Sequence, residues 1–206
     1  MTKIIINYNN LTNFCKINNL KIITKEELLK ENIYKNLVYS TKNNFVHKEV
    51  YPIDMPLIMN NIIWEKVKKL NNDLKQHNMC LMIYDAFRPI QIQQYFWDTF
   101  NKIYGYNDED FVANPNKYGA HNITLNAIDI IPVSIDGKKL KLPCEFDDFS
   151  EKSNTNYKDS DIESLRNRDL LITLAKKNGL MFLETSAKTA FNVVEAFNLS
   201  AQSILQ

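Results

Sequence analysis

His121 and Asp129 are the two residues of this chain whose types and spacing best suit chemistry. They lie in the stretch GAHNITLNAID, downstream of the run MIYDAFRP. An imidazole nitrogen and a carboxylate oxygen are both good ligands for Zn²⁺, and a catalytic zinc usually has three protein ligands and one water. We therefore predict that His121 and Asp129 bind zinc. His121 is the last histidine in the chain, so no histidine downstream of it can supply the third ligand.

The composition is that of an ordinary globular protein. Of the 206 residues, 45% are hydrophobic and 24% are charged, and the formal net charge is +1. This small charge gives no support for a nucleic-acid partner or an anionic membrane. The low glycine content argues against loops that wrap phosphates. We expect one substantial core, with a division into two domains possible but not required.

Three cysteines, Cys15, Cys80 and Cys144, lie far apart and form no CxxC pair. Such an odd and sparse set is typical of a reducing compartment. Cys80 belongs to the apolar run MCLMIY and is expected to be buried. The apolar stretch at the N-terminus is too short for a signal peptide, and no run approaches the ~18 apolar residues of a membrane span. The sequence therefore predicts a cytoplasmic protein without a membrane partner.

Apolar residues recur at helical spacing in several segments, and capping residues mark their ends. The helices predicted in this way cover 24–29, 56–76, 90–104, 161–178 and 192–206. Thr24 is the expected cap of the first helix, Pro56 belongs to the first turn of the second, and Gly179 ends the fourth.

Short β-rich runs predict the strands, and the polar segments between them predict loops. The predicted strands are 3–7, 36–45, 79–84, 180–184 and a hairpin of 127–135 and 138–143. Asp136-Gly137 is a type I′ turn signal for that hairpin. The polar segments 105–118 and 144–160 are expected to be loops.

Five motifs between about residue 35 and residue 180 resemble those of the VanX-type D-Ala-D-Ala dipeptidases. The motifs are NLVYSTKNNF, DAFRP, AHNITLNAIDI, EFDDFSE and NRDLLITLAKKNG, in the order and spacing of that family. These enzymes are zinc metallopeptidases of the D-alanyl-D-alanine carboxypeptidase and hedgehog-like superfamily. The resemblance implies an α+β fold with a central, largely antiparallel sheet and flanking helices.

The resemblance also implies roles for individual residues. His121 and Asp129 would be the zinc ligands. Arg88, in the DAFRP motif, would stabilise the oxyanion that forms when water attacks the peptide carbonyl. Asp147 would bind the free ammonium group of a dipeptide, which restricts the substrate to dipeptides. Judged from the residues alone, Arg88 as a salt-bridged structural residue and Asp147 as a solvated loop charge remain open.

The chain departs from the family pattern Ser-x-His-x-x-Gly-x-Ala-x-Asp. Gly119 occupies the serine position, Leu125 occupies the glycine position, and one extra residue separates His121 from Asp129. An insertion in a strand turns side chains to the opposite face unless a bulge absorbs it. The two zinc ligands are therefore expected to converge only if the segment 122–125 bulges.

A further departure concerns the Glu-x-x-His segment, which supplies the general base and the last zinc ligand of the family. This chain has Glu184-Thr185-Ser186-Ala187 at that place. The resemblance makes Glu184 the counterpart of the general base but leaves the histidine without one, and Glu184 or Cys144 could be recruited as the third ligand. The alternative is that Glu184 belongs to the C-terminal segment that resembles another family. We expect the activity to be weak or absent.

The end of the chain, from about Ala175, resembles a different family. The stretch NGLMFLETSAKTAFNVVEAF is similar to the last strand, the guanine-contacting loop and the final helix of a Rab-type small GTPase. The other nucleotide-binding motifs of that family, GxxxxGK[ST], DxxG and NKxD, are missing, so nucleotide hydrolysis has no chemical basis. We predict a dipeptidase-like domain over 1–178 and a Rab-like strand and helix over 179–206.

Two functional hypotheses follow. The first is zinc-dependent hydrolysis of the D-Ala-D-Ala dipeptide of the bacterial cell wall, with a small dipeptide as the partner and Zn²⁺ as the cofactor. The alternative is a catalytically inactive binding module that keeps the peptidase fold. The oligomeric state is left open.

Overall fold

The computed structural model of the protein describes residues 8–109, 111–118 and 127–180. The elements predicted at 3–7 and 192–206 lie outside these residues. The same is true of all but the first residue of the strand predicted at 180–184.

Six helices and five strands occur in the described residues. In chain order they are α1 (Tyr8–Ile17), β1 (Leu20–Ile23), α2 (Lys25–Glu31), β2 (Tyr34–Lys35), β3 (Leu57–Asn60), α3 (Asn61–Lys75), β4 (Met79–Asp85), α4 (Ile90–Tyr104), α5 (Pro115–Tyr118), β5 (Asp129–Ser134) and α6 (Ile162–Lys177). Single turns of 3₁₀ helix occur at Val38–Ser40 and Glu151–Ser153.

The strands form two small sheets. Strands β1 and β3 pair antiparallel. The other sheet has the order β2-β4-β5, in which β4 pairs parallel with β2 and antiparallel with β5. The chain is thus α+β, with one antiparallel sheet and one mixed sheet. The predicted strand 79–84 is confirmed as β4, the central strand, and Cys80 in it is fully buried as expected.

Three predicted helices are confirmed. Thr24 caps α2 in a capping box with Glu27, whose side chain accepts a hydrogen bond from the Thr24 backbone N–H. Helix α4 has the predicted bounds. Helix α6 begins after Asp161, whose side chain accepts from the backbone N–H of Ser164. It is followed by Gly179 in the left-handed conformation that ends many helices.

The helix predicted to begin at Pro56 is wrong in its first turn. Residues Leu57–Asn60 form strand β3 instead, paired with Leu20–Ile23. Helix α3 begins afterwards, where the side chain of Asn60 accepts a hydrogen bond from the backbone N–H of Ile62 at 2.8 Å. A short continuous apolar run fits a buried strand and a buried helix equally well, so periodicity could not separate the two.

The strand predicted at 36–45 is also wrong. Its buried residues Val38 and Tyr39 belong to a 3₁₀ turn, and a loop follows. The side chain of Asn44 holds this loop, since its Nδ2 donates to the carbonyl oxygens of Thr41 and Lys48. The β-branched and aromatic composition of this run reflects burial without strand pairing.

The hairpin predicted around Asp136-Gly137 is half right. Strand β5 and the turn exist, but the return segment makes only an isolated bridge between Val133 and Lys139. Gly137 has a φ of +82°, and a Cβ there would lie 2.6 Å from Cζ of Tyr34. Glycine is therefore required at this turn. Of the predicted loops, 105–118 contains the short helix α5 and 144–160 contains one 3₁₀ turn.

Within the described ranges, every helix falls short of the length and hydropathy that a membrane crossing requires.

A buried asparagine joins three elements of the core. Asn71 on α3 is fully buried, and its Nδ2 donates to the carbonyl oxygen of Glu31 at the end of α2. Its Oδ1 accepts from the backbone N–H of Leu81 in β4 at 2.8 Å. Strand β2 is too short to pair with Leu81, because it covers only Met82 and Ile83 of β4. Asn71 thus stands in for a missing strand partner.

We expect Asn71→Leu to lower the free energy of unfolding by about 2–4 kcal/mol, because it leaves the buried N–H of Leu81 and the partly buried carbonyl of Glu31 without this hydrogen-bond partner. Urea denaturation measures the change. Asn72→Leu, at the adjacent exposed position of α3, is the control and should alter stability by less than about 0.5 kcal/mol. Equal losses in the two variants would contradict the role given to Asn71.

Candidate active site

Arg88 lies between β4 and α4, and a buried ion pair fixes its guanidinium. Its Nε and Nη2 both donate to Oδ2 of Asp85, at 2.9 and 2.8 Å. Asp85 also accepts from the hydroxyl of Tyr51 and from the backbone N–H of Ala86. Burial is the largest single influence on the Arg88 pKa and lowers it, but the charges of Asp85, Tyr39, Tyr51 and Asp129 together outweigh burial and raise the pKa well above its ordinary value. Arg88 is therefore a permanent cation in a nearly dry environment.

Asp129 contacts the same guanidinium nitrogen of Arg88, Nη2, that Asp85 contacts. It is the first residue of β5 and pairs with Asp85 across the sheet, next to an irregularity in the β4 register. Its Oδ2 accepts from Nη2 of Arg88 at 3.3 Å. The Asp129 side chain is 24% exposed, so solvent or a ligand reaches it. The antiparallel register of β4 and β5 thus brings two carboxylates to one guanidinium.

Asp147 lies in the loop 144–160 and is held by two hydrogen bonds. Its Oδ1 accepts from the hydroxyl of Tyr39 at 2.9 Å, and its Oδ2 accepts from the backbone N–H of Phe45 at 3.2 Å. Its backbone φ of +61° is left-handed, which aspartate tolerates better than most residues. The alternative of a solvated loop charge does not fit this partly buried position.

Burial dominates the acidity of Asp147. It raises the pKa of the carboxyl to about 6, against the opposing hydrogen bonds from Phe45 and Tyr39 and the nearby charge of Arg88. The group is therefore ionised at neutral pH and protonated in mild acid. A carboxylate this poorly solvated gains more than usual from a cationic partner.

Tyr39 joins these groups into one neighbourhood. Its ring centroid lies 5.3 Å from Cζ of Arg88, and its hydroxyl binds Asp147. Burial raises the pKa of Tyr39 well above its ordinary value, and the charges of Arg88, Asp147, Asp129 and Asp85 also act on it. Three carboxylates thus surround one guanidinium, and their excess negative charge favours a cationic ligand such as an ammonium group or a metal ion.

Arg88, Asp129 and Asp147, three residues predicted from separate motifs, are thus brought together. The other two, His121 and Glu184, lie outside the described residues, as does the segment 122–125 that was expected to bulge. Within the described part of the chain, no three His, Cys, Asp or Glu side chains form a group that could hold a metal ion. Of the two predicted zinc ligands, only Asp129 lies among the described residues. These residues therefore do not form a zinc site by themselves.

Cys144, the other candidate for a third ligand, is partly buried. Burial, followed by the charges of Asp148 and Glu145, raises the pKa of its thiol to about 11. A zinc ligand has to be the thiolate, so this environment opposes the role.

Four contacts of Arg88 and Asp147 were not singled out from the sequence: Tyr39, Tyr51, Asp85 and Gln93. Asp85 and Tyr39 do lie inside the motifs DAFRP and NLVYSTKNNF, so those motifs carried a signal for them. Nothing in the sequence distinguishes Gln93 from its neighbours in the run IQIQQ, nor marks Tyr51 as a partner of Asp85.

His47 and His77 are exposed. Phe96 and Phe100 belong to the core.

Comparison with known proteins finds a relative that is similar to this chain over a short segment. A segment of 32 residues, 16% of the chain, is 69% identical to the Ras-related protein Rab-2B of Dictyostelium discoideum. The chain spans 16% of the length of that relative. This match agrees with the resemblance of a short segment to a Rab-type GTPase and shows no more than that. The boundary at 178 stays a prediction.

A second comparison covers most of the chain. The family described as D-Ala-D-Ala dipeptidase matches residues 20–185. That range contains Arg88, Asp129 and Asp147, together with His121 and Glu184. Because the match extends over far more than half of the 206 residues, the chain belongs to the D-Ala-D-Ala dipeptidase family of peptidases.

Proposed function

We propose that this chain is a zinc-dependent dipeptidase that hydrolyses D-Ala-D-Ala, with His121 and Asp129 as metal ligands. Family membership supports a peptidase. The observation that carries the proposal is the convergence of Arg88, Asp129 and Asp147 around Tyr39. A free dipeptide has an ammonium group and a scissile carbonyl only a few bonds apart, so its binding site needs an anion and a cation close together.

Arg88 has the properties needed to stabilise an oxyanion. Asp85 holds the guanidinium in place before any substrate binds, so no reorganisation is needed when negative charge develops on the carbonyl oxygen. In a nearly dry site such a fixed cation contributes several kcal/mol to the barrier reduction, about as much as other oxyanion donors. Zinc bound beside it would lower the pKa of a bound water toward ~7 and so provide the nucleophile.

Asp147 has the properties needed to select a free dipeptide. Its carboxylate is partly buried and ionised at neutral pH, so a substrate ammonium group would both neutralise it and replace lost solvation. A longer peptide has an amide where the dipeptide has its ammonium group, and the carboxylate would then remain unpaired. Glu184 is proposed as the base that accepts the proton of the attacking water.

The sequence Glu184-Thr185-Ser186-Ala187 supports a second candidate function. Without the family histidine the chain would keep the dipeptide site and lose turnover. In that case D-Ala-D-Ala raises the melting temperature of the protein while no D-alanine is released, and His121→Ala leaves this thermal shift unchanged.

Metal content tests the zinc ligands directly. We expect purified protein to retain about one zinc per chain. We expect Asp129→Ala and His121→Ala to lose it, because each substitution removes one of the two proposed ligands and the single one that remains holds the ion weakly. Mass spectrometry of the folded proteins measures the metal. Asp136→Ala, in the exposed turn after β5, is the control and should keep its zinc. Metal-free wild-type protein would refute the zinc proposal.

Turnover tests Arg88. We expect Arg88→Lys to lower kcat for D-Ala-D-Ala by about 10²–10³-fold, because a lysine cannot reproduce the fixed planar donor. Release of D-alanine is the measurement. Arg166→Lys, at an exposed position of α6, should retain full activity. A folded, zinc-loaded wild-type protein without turnover would leave the binding module as the better description.

The pKa of Asp147 leads to a prediction about the pH dependence of stability, which can be tested without measuring enzymatic activity. It is about 6 in the folded chain against an ordinary 3.8, so the folded state binds the proton more tightly than the unfolded state. Stability therefore falls as the pH rises from about 4 to about 6, by about 3 kcal/mol in total.

We expect Asp147→Asn to remove this part of the pH dependence. The free energy of unfolding of the variant should therefore rise, relative to that of the wild type, by about 2–3 kcal/mol between pH 4 and pH 7. Urea denaturation across that pH range is the measurement. The control Asp148→Asn should keep the wild-type dependence. Parallel curves for wild type and Asp147→Asn would contradict the assignment.

A further inference from the structure

Gln93 on α4 is almost completely buried, with 1% of its surface exposed. Its Oε1 accepts from Nη1 of Arg88 at 2.9 Å, and its Nε2 donates to the carbonyl oxygen of Ala113 at 2.8 Å. A guanidinium can only donate and a carbonyl can only accept, so these two partners define a single orientation of the amide. Gln93 thus links Arg88 to the loop between α4 and α5.

The hydrogen bonds of Arg88 show what this link does. Its Nε–H and both Nη2 hydrogens are used by Asp85 and Asp129. Gln93 takes one hydrogen of Nη1. A guanidinium has five N–H groups, so these four hydrogen bonds leave one Nη1 hydrogen that Asp85, Asp129 and Gln93 do not use. Three acceptors on different elements therefore define the plane of the guanidinium and, with it, the direction of that remaining N–H.

The chemical type of Gln93 matters as much as its position. Asp85 and Asp129 already place two negative charges against one positive charge. An additional carboxylate at position 93 would further reduce the positive potential of Arg88, whereas an amide oxygen accepts the hydrogen bond without adding charge. The bond from Gln93 to Ala113 keeps the amide in place, since a buried amide nitrogen needs an acceptor.

We propose that Gln93 is a positioning residue for Arg88: it fixes the guanidinium plane and leaves one Nη1 hydrogen directed at the substrate oxyanion while preserving the positive charge. The catalytic part of this inference rests on the proposed peptidase function. The fixing of Arg88 does not rest on it.

The kinetic test uses Gln93→Met, which keeps the length of the side chain and removes both hydrogen bonds. We expect kcat for D-Ala-D-Ala to fall about 10²-fold, because a misplaced catalytic group costs about that much. KM should change by less than about threefold, because Asp147 still binds the ammonium group. Gln94→Met is the matched control, since Gln94 lies on the same helix and its Nε2 donates to Asp98 at an exposed site. An unchanged kcat in Gln93→Met overturns the proposal.

A spectroscopic test addresses Arg88 without turnover. The chain has three arginines, Arg88, Arg166 and Arg168, so Arg88→Lys assigns the side-chain NMR signals of Arg88 by their loss. We expect separate Nη signals from a guanidinium with restricted rotation in wild type and in Gln94→Met, and averaged signals in Gln93→Met. Restricted rotation that persists in Gln93→Met overturns the proposal.

A second variant, Gln93→Glu, separates the effect of charge at position 93 from the effect of positioning Arg88. It also replaces Gln93→Met as the test if Gln93→Met does not fold. Gln93→Glu keeps an oxygen for Arg88 and adds a carboxylate, so we expect restricted rotation to remain while kcat falls at least 10-fold; full activity overturns the argument from charge. Wild-type protein without turnover would refute the proposed function, while the NMR comparison would still decide the role of Gln93.

Discussion

The buried ion pair between Asp85 and Arg88 is the interaction on which the rest of the site depends. The two side chains are 1% and 9% exposed. Removing both charges from water costs several kcal/mol per ion, and their attraction offsets this cost only with good geometry and further hydrogen bonds. Tyr51 and the backbone of Ala86 supply those bonds to Asp85. The end of β4 is held rigidly as a result.

The charges of the site follow from that pair and from the strand register beside it. Pairing of β4 with β5 brings Asp129 to Nη2 of Arg88. Asp147, a loop residue with a left-handed backbone, joins the same neighbourhood through its hydrogen bond with Tyr39. The result is a small region with more carboxylates than cations and little water. Such a region favours the cationic group of a small substrate and a divalent metal, which agrees with membership of a family of dipeptidases.

Much of the fold could be predicted where a local rule was sufficient. Helix α4 has a clear apolar period, α6 has clear capping residues at its ends, and β4 is a short continuous apolar run between polar segments. The segments 36–45 and 57–60 were misjudged because their structure depends on distant partners. Strand β3 needs β1, and the loop around Asn44 needs its own internal hydrogen bonds. Helix α1 has a polar, asparagine-rich sequence and gave no comparable signal.

The sequence by itself determined which chemical groups are available: the DAFRP motif, the aspartates at 129 and 147, and a Glu-x-x-Ala segment where the family has Glu-x-x-His. These follow from residue identity and order. Only the tertiary structure decided that Asp85 is the partner of Arg88, that Asp147 is poorly solvated, and that Gln93 completes the guanidinium contacts. Burial and hydrogen bonding depend on atoms from remote parts of the chain, and no local pattern records how close those atoms come.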